Sequence, residues 1–200
     1  MSATGSGAPA PRASITRAAL VQSASELFVE QGYGAVSVRD LARRTHLTSG
    51  AIYGHFRNKA DLLVAAIAER IDTELETPSS APTTFAATIG RQWRTYRART
   101  AMRALLVEGA AAARVDDDVR RELGELLRAK LAEWRSIYHD VQVDQHIDPE
   151  VDMDSLLVVL LATELGLGVL ESIGVELPKP AAWERTINRL LTTLRPGRRP

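Results

Sequence analysis

Small hydroxyls, donors and cations recur at short intervals between residues 37 and 59: Ser37, Arg39, Thr48, Ser49, Tyr53, His55 and Lys59, with Gly50 and Ala51 among them. No spacing in this set pairs a nucleophile with a base or groups metal ligands. The types are instead those that donate to phosphate oxygens and base edges: hydroxyl, phenol, imidazole, guanidinium and ammonium. Arg39 can reach a base or a phosphate. Lys59 lies where a helix begins, so its amine and the free backbone N–H groups there can meet one phosphate together. Ser37 can cap a helix with its hydroxyl and offer its N–H to a phosphate. Ser49 can donate to or accept from a base edge, Ala51 can touch a thymine methyl, and Gly50 lets the backbone come close. A plainer account also exists for several of them. Tyr53 could pack in a small core, His55 could be merely solvated, and Arg43 and Arg44 fit an exposed helix face equally well.

Chemistry of other kinds finds little support. The chain has no Cys, which excludes disulfides, Cys-ligated zinc, iron–sulfur clusters and thiol nucleophiles. His139 and His146, with Asp140, Asp144 and Asp148, match no zinc spacing and suit a solvated loop, so no metal is expected. The pattern Gly166-x-Gly168 falls inside a helical stretch and is not a dinucleotide loop. G-x-S-x-G, H-E-x-x-H and P-loop patterns are missing, so neither a catalytic residue nor a cofactor is assigned.

The elements that must hold these residues are helices. Ala18, Ala19, Ala24, Leu27 and Phe28 make an apolar stripe over residues 15–31, and Gly32 closes it where a left-handed cap is wanted. Ser37 with Asp40, Thr48, and Asn58 with Asp61 are three successive cap signals. They open helices at 38–45, 48–55 and 59–74. Two short helices joined by a tight turn form a helix-turn-helix layout, with 48–55 as the recognition helix and its N-terminus toward the major groove. Residues 76–83, rich in Pro and Ser, read as a hinge. Longer helices follow over 84–97, 99–113, the stretch behind Asp116, Asp117 and Asp118, 149–173 opened by Asp148 and Pro149, and 181–194.

Composition agrees. Of 200 residues, 45% are hydrophobic and 5% aromatic, and Ala, Leu, Arg and Glu outnumber β-branched residues, which favours an all-α chain. The formal net charge is zero, but residues 12–59 hold seven basic against three acidic residues while residues 74–200 hold 17 against 19. A basic segment on a slightly acidic body suits a protein that meets phosphate through one end. The longest apolar run, residues 156–162, has seven residues, far below the roughly 18 of a membrane helix, and residues 1–13 lack the apolar core of a secretory signal. No membrane association and a cytoplasmic location are expected.

Residues 16–63 resemble the DNA-binding domain of the tetracycline-repressor (TetR) family. The match runs through Ala24, Leu27, Phe28, Gly32, Tyr33, Ser37, Val38, Arg39, Asp40, Leu41 and Ala42. It continues through Leu47, Thr48, Ser49, Gly50, Ala51, Ile52, Tyr53, His55, Phe56, Asn58, Lys59, Asp61, Leu62 and Leu63 without a gap. Gly54 and Ala60 depart from the pattern. The resemblance implies that Tyr53 and His55 contact phosphates. It implies a three-helix head over residues 14–75 and a helical ligand-binding and dimerisation domain over 82–195; by composition, residues 1–13 read as a disordered tail and residues 196–200 as a basic one. It further implies a homodimer on a palindromic double-stranded DNA operator, released by a small-molecule inducer. Helices 149–173 and 181–194, too apolar for one monomer to cover, are the expected dimer surface. Candidate pocket residues are Trp93, Tyr96, Leu105, Glu108, Leu127, Trp134, Thr163 and Glu164, the polar ones because few polar groups orient a ligand in such pockets. The alternative is a helical ligand-binding or architectural DNA-binding protein without ligand-controlled repression.

Overall fold

The structure, a computed structural model, describes residues 17–75, 96–143, 148 and 150–192. Among these residues every regular element is a helix. The head consists of α1 (Arg17–Gln31), α2 (Val38–Thr45), α3 (Ser49–Tyr53) and α4 (Lys59–Glu74). After a 3-10 turn at Tyr96–Arg99, the body consists of α5 (Thr100–Ala112), α6 (Asp117–Val143), α7 (Met153–Ser172) and α8 (Pro180–Thr192). The expected tail at 1–13, the hinge at 76–83, most of the 84–97 helix with Trp93, and the basic tail lie outside the described residues.

The caps form where their residue types predict. Ser37 and Asp40 make a reciprocal capping box on α2, Thr48 accepts the N–H of Ala51, and Asn58 accepts the N–H of Asp61 at 2.7 Å. Gly32 closes α1 at φ +80°, a conformation that costs a residue with a Cβ roughly 1–2 kcal/mol. His46 takes the left-handed conformation between α2 and α3 at φ 55°.

Two boundaries differ from expectation. The recognition helix is shorter at its C-terminal end than expected: Thr48 caps it as its residue type indicates, but Gly54 ends it before His55. The helix expected to open at Asp148 and Pro149 begins instead at Met153, capped by Asp152, whose carboxylate accepts the Ser155 N–H at 2.9 Å. Asp148 closes a tight turn, with its side chain accepting from the Glu150 N–H and its carbonyl from the Val151 N–H. Both aspartates are competent caps, and the one a single turn before the apolar run 156–162 opens the helix.

α1 packs on α4 and α5, α4 on α5 and α6, and α7 on α5 and α6. The largest core cluster crosses from head to body: Leu20, Phe28, Leu63 and Ile67 share it with Met102, Leu105 and Val119. A second cluster lies wholly in the body, where Tyr96, Met153, Leu157 and Leu167 meet Trp134, Trp183 and Ile187. By length and composition α7 could cross a membrane. It nevertheless buries Glu164 against arginines of the body, a pairing that belongs to a protein core.

Candidate nucleic-acid interface

α3 is five residues long, too short to persist alone. Two buried anchors hold it: Ile52 within the helix and Phe56 just beyond it. With these turned inward, Gly50, Ala51, Tyr53, Gly54 and His55 are exposed, and Ser49 is half-buried. The core alternative for Tyr53 is excluded, because the residue is 52% exposed. His55 is likewise exposed, while its backbone N–H is taken by the Ile52 carbonyl at 2.9 Å. A phenol and an imidazole therefore stand beside a rim of small residues, an arrangement able to donate to phosphate oxygens while the backbone approaches a groove.

The neighbouring residues divide into free and engaged. Arg39 is exposed, with no ion pair among the described residues. Arg17, which sequence reasoning left out, lies over the Phe56 ring at 4.8 Å, beside the recognition helix. Arg43 is exposed and pairs with Asp40. Arg44 is engaged, pairing with Glu26 at 2.9 Å and Glu30 at 2.8 Å on α1.

Ser37 spends its donors internally. Its N–H is donated to Asp40 Oδ2 at 2.8 Å and its hydroxyl to the same oxygen at 2.5 Å. The Ser37 hydroxyl is the main cause of an Asp40 carboxyl held below its ordinary value. Lys59 is also turned inward. Its amine donates to the carbonyls of Tyr33 at 2.8 Å and Val36 at 3.1 Å, and stands 4.0 Å from the Tyr33 ring centroid. Burial lowers its pKa from the ordinary lysine value. In this conformation Lys59 fastens the loop between α1 and α2.

Most of the pocket candidates divide between two core clusters and a buried ionic group. Trp93 is outside the described residues. Leu105 and Leu127 belong to the core shared with the head, whereas Tyr96 lies in the second cluster and Trp134 touches both. The Tyr96 ring meets Trp183 at 5.6 Å between centroids, and its hydroxyl donates to the Pro178 carbonyl. Thr163 donates to the Val159 carbonyl of its own helix. Glu108 accepts the Tyr33 N–H from the head at 2.8 Å.

Glu164 instead belongs to a buried ionic group. Arg99 donates to it at 2.5 Å, and Arg103 lies 3.6 Å from its other oxygen. Arg103 grips Glu171 with two bonds, at 2.7 and 2.9 Å, and also donates to the Tyr96 carbonyl. The two arginines are 1% and 0% exposed. Sequence reasoning missed this group because its partners lie on different helices. Among the described residues no group of three or more His, Cys, Asp or Glu side chains could hold a metal.

Comparison with known proteins places this geometry in context. Residues 12–66 match the family model described as bacterial regulatory proteins, tetR family. The segment is 45% identical over 56 residues to the TetC protein of transposon Tn10 from Escherichia coli, covering 28% of each chain. It is 41% identical over 58 residues to an HTH-type transcriptional repressor of Mycobacterium tuberculosis, covering 29% of this chain and 30% of that one. The match thus spans less than a third of either relative. The fold as a whole is similar to Salmonella enterica GusR, with a TM-score of 0.70 at 23% identity over 90% of this chain and 97% of that one. It is also similar to a TetR-family transcriptional regulator from Cytophaga hutchinsonii, with a TM-score of 0.67 at 18% identity over 88% and 92%.

Proposed function

We propose that this chain, whose residues 12–66 match the model of the tetR family of bacterial regulatory proteins, is a cytoplasmic transcriptional repressor. It binds a palindromic operator as a homodimer and leaves it when a small molecule occupies the body. The observation that carries the reading is the exposed face of α3, where Tyr53 and His55 flank a rim of small residues above two buried anchors. Such a rim offers few base-edge contacts, so phosphate contacts and DNA shape supply much of the affinity.

The dimer is supported by a bare apolar face. Val158, Val159, Val169, Leu170 and Ile173 of α7 and its C-terminal turn are exposed, as is Leu190 of α8. From Val159 to Ile173 this face runs roughly 21 Å at 1.5 Å per residue. Gly166 lies on it with nothing within 4 Å of where a Cβ would stand, leaving room for close approach by a second helix. Twofold pairing of α7 and α8 would bury the face in a four-helix bundle and present two recognition helices to two half-sites. The ligand acts by preferring a conformer whose heads are misplaced for the operator, so DNA weakens ligand binding by the same factor.

Mobility shift with duplex DNA from the chain's own upstream region tests the reading, at two salt concentrations and against scrambled competitor. Salt-sensitive, sequence-specific binding with two chains per duplex is expected, and Tyr53→Ala weakens it without lowering stability. Absence of specific binding to that region and to a random duplex pool would overturn it.

A further inference from the structure

Several directional contacts between head and body gather at one corner, while others, Lys130 with Asp72 at 2.5 Å and the Met102 N–H with Glu74 at 3.3 Å, lie at the far end of α4. Beyond the left-handed Gly32, Tyr33 donates its N–H to Glu108 of α5 at 2.8 Å. The Tyr33 hydroxyl donates to Asp116 at 3.0 Å, and the same aspartate caps α6 by accepting the Val119 N–H at 3.1 Å. Lys59 closes the loop from the other side through the Tyr33 and Val36 carbonyls. Next to it Asn58 donates to Asp118 at 3.2 Å, and Arg57 pairs with Glu122 at 3.1 Å. The loop before α2 and the loop after α3 are therefore both tied to carboxylates of the body. Attachment alone does not require these bonds, since Leu63 and Ile67 already share an apolar core with Met102 and Leu105. Apolar contact is non-directional, whereas hydrogen bonds fix an angle. The fit is also tight, because a Cβ on Gly32 would stand 3.3 Å from Glu108 Oε2.

We infer that Glu108 and Tyr33 form a positioning latch that sets the angle of the recognition helix against the body, and with it the half-site spacing that the dimer accepts. Neither residue touches DNA in this role. The inference rests on the operator-binding reading, and it deepens that reading by naming what makes the two heads a ruler. Glu108 lies on α5, the helix whose Arg103 holds α7, so the latch joins the DNA-reading end to the helix that carries the bare apolar face.

The experiment compares the full-length wild type with Glu108→Ala and Tyr33→Phe. Tyr33→Phe keeps the ring against Phe28 and Lys59 and removes only the hydroxyl. Each protein is titrated with the duplex the wild type selects from a random pool, with the same duplex lengthened or shortened by one base pair between half-sites, and with a single half-site. The wild type is expected to lose about tenfold on the altered spacings. The variants are expected to hold the half-site within about twofold of wild type yet lose most of that penalty. Equal losses on the half-site and the full operator would overturn the latch, because a structural defect acts on both. If the wild type selects no duplex, the operator reading fails and the latch is judged by hydrogen exchange on the DNA-free proteins. Residues 32–37 and 54–62 should then exchange about tenfold faster in Glu108→Ala, for the loss of a bond to a charged acceptor, and not in the exposed Arg43→Ala. Unchanged exchange in Glu108→Ala would overturn it.

Discussion

In the head, Ser37 bonds Asp40, Thr48 bonds Ala51 and Asn58 bonds Asp61, each three residues apart. In the body, Arg99 bonds Glu164 and Arg103 bonds Glu171, at separations of 65 and 68 residues. The head's caps and the body's buried ion pairs solve the same problem, satisfying polar groups near an apolar core, at opposite ranges along the chain. Short-range bonds define where helices begin and leave side chains free to face outward. Long-range bonds between buried charges define how helices sit against one another, and they strand a partner when one member is lost.

The contrast can be broken most forcefully at Arg103. Arg103→Ala leaves the buried Tyr96 carbonyl and the half-buried Glu171 without this donor, and takes one of two arginines from the buried Glu164. A loss of about 3–5 kcal/mol is expected in urea denaturation. A loss below about 1 kcal/mol, the value of an exposed pair, would erase the distinction. Gly168→Ala comes next. Its Cβ would lie 2.9 Å from Val107 Cγ2 and 3.1 Å from the Arg103 carbonyl oxygen, so α5 and α7 must part. Overpacking of this kind costs about 1–3 kcal/mol, read as a lower denaturation midpoint. The head should respond more mildly. Ser37→Ala removes one cap and is expected to cost about 1 kcal/mol by the same measurement.

The smallest effect is one of pH. Asp116 is held below its ordinary 3.8, chiefly by the Val119 N–H and also by the Tyr33 hydroxyl. A depressed folded-state value means stabilisation that is complete above 3.8 and disappears as the pH falls through the depressed value. The stability gap between wild type and Asp116→Asn should accordingly narrow below pH 3.8. A gap that stays constant through that window would show that the carboxylate charge contributes nothing there.

The same difference in range explains what could be read from residues alone. Caps are visible because partner and backbone lie three positions apart, so the helices of the head and the face of α3 were legible from type and spacing. The fate of Lys59 was not. Its position at a helix start suits a phosphate contact, and only the folded α1–α2 loop brings two carbonyls and a ring within its reach. Glu108 was singled out as a polar residue on an apolar helix, which is correct as chemistry, but its partner is a backbone N–H 75 residues earlier. The run Asp116, Asp117 and Asp118 signals a helix N-terminus by its charge. That two of the three also grip the head follows only from packing. Arg99 and Arg103 look like surface residues of an Ala-rich helix until α7 supplies their counter-ions.

The brevity of α3 has one more consequence. Its stability is delegated to Ile52 and Phe56, and its outer positions are nearly uncoupled from the fold. A side chain at Gly50 would meet nothing nearer than the Thr48 hydroxyl at 3.9 Å. The tip is therefore an interchangeable nib on a fixed holder. New residues at 49–51 can rewrite which sequence is preferred while leaving the helices behind them undisturbed, which lets descendants of such a chain diverge in their targets faster than in their architecture.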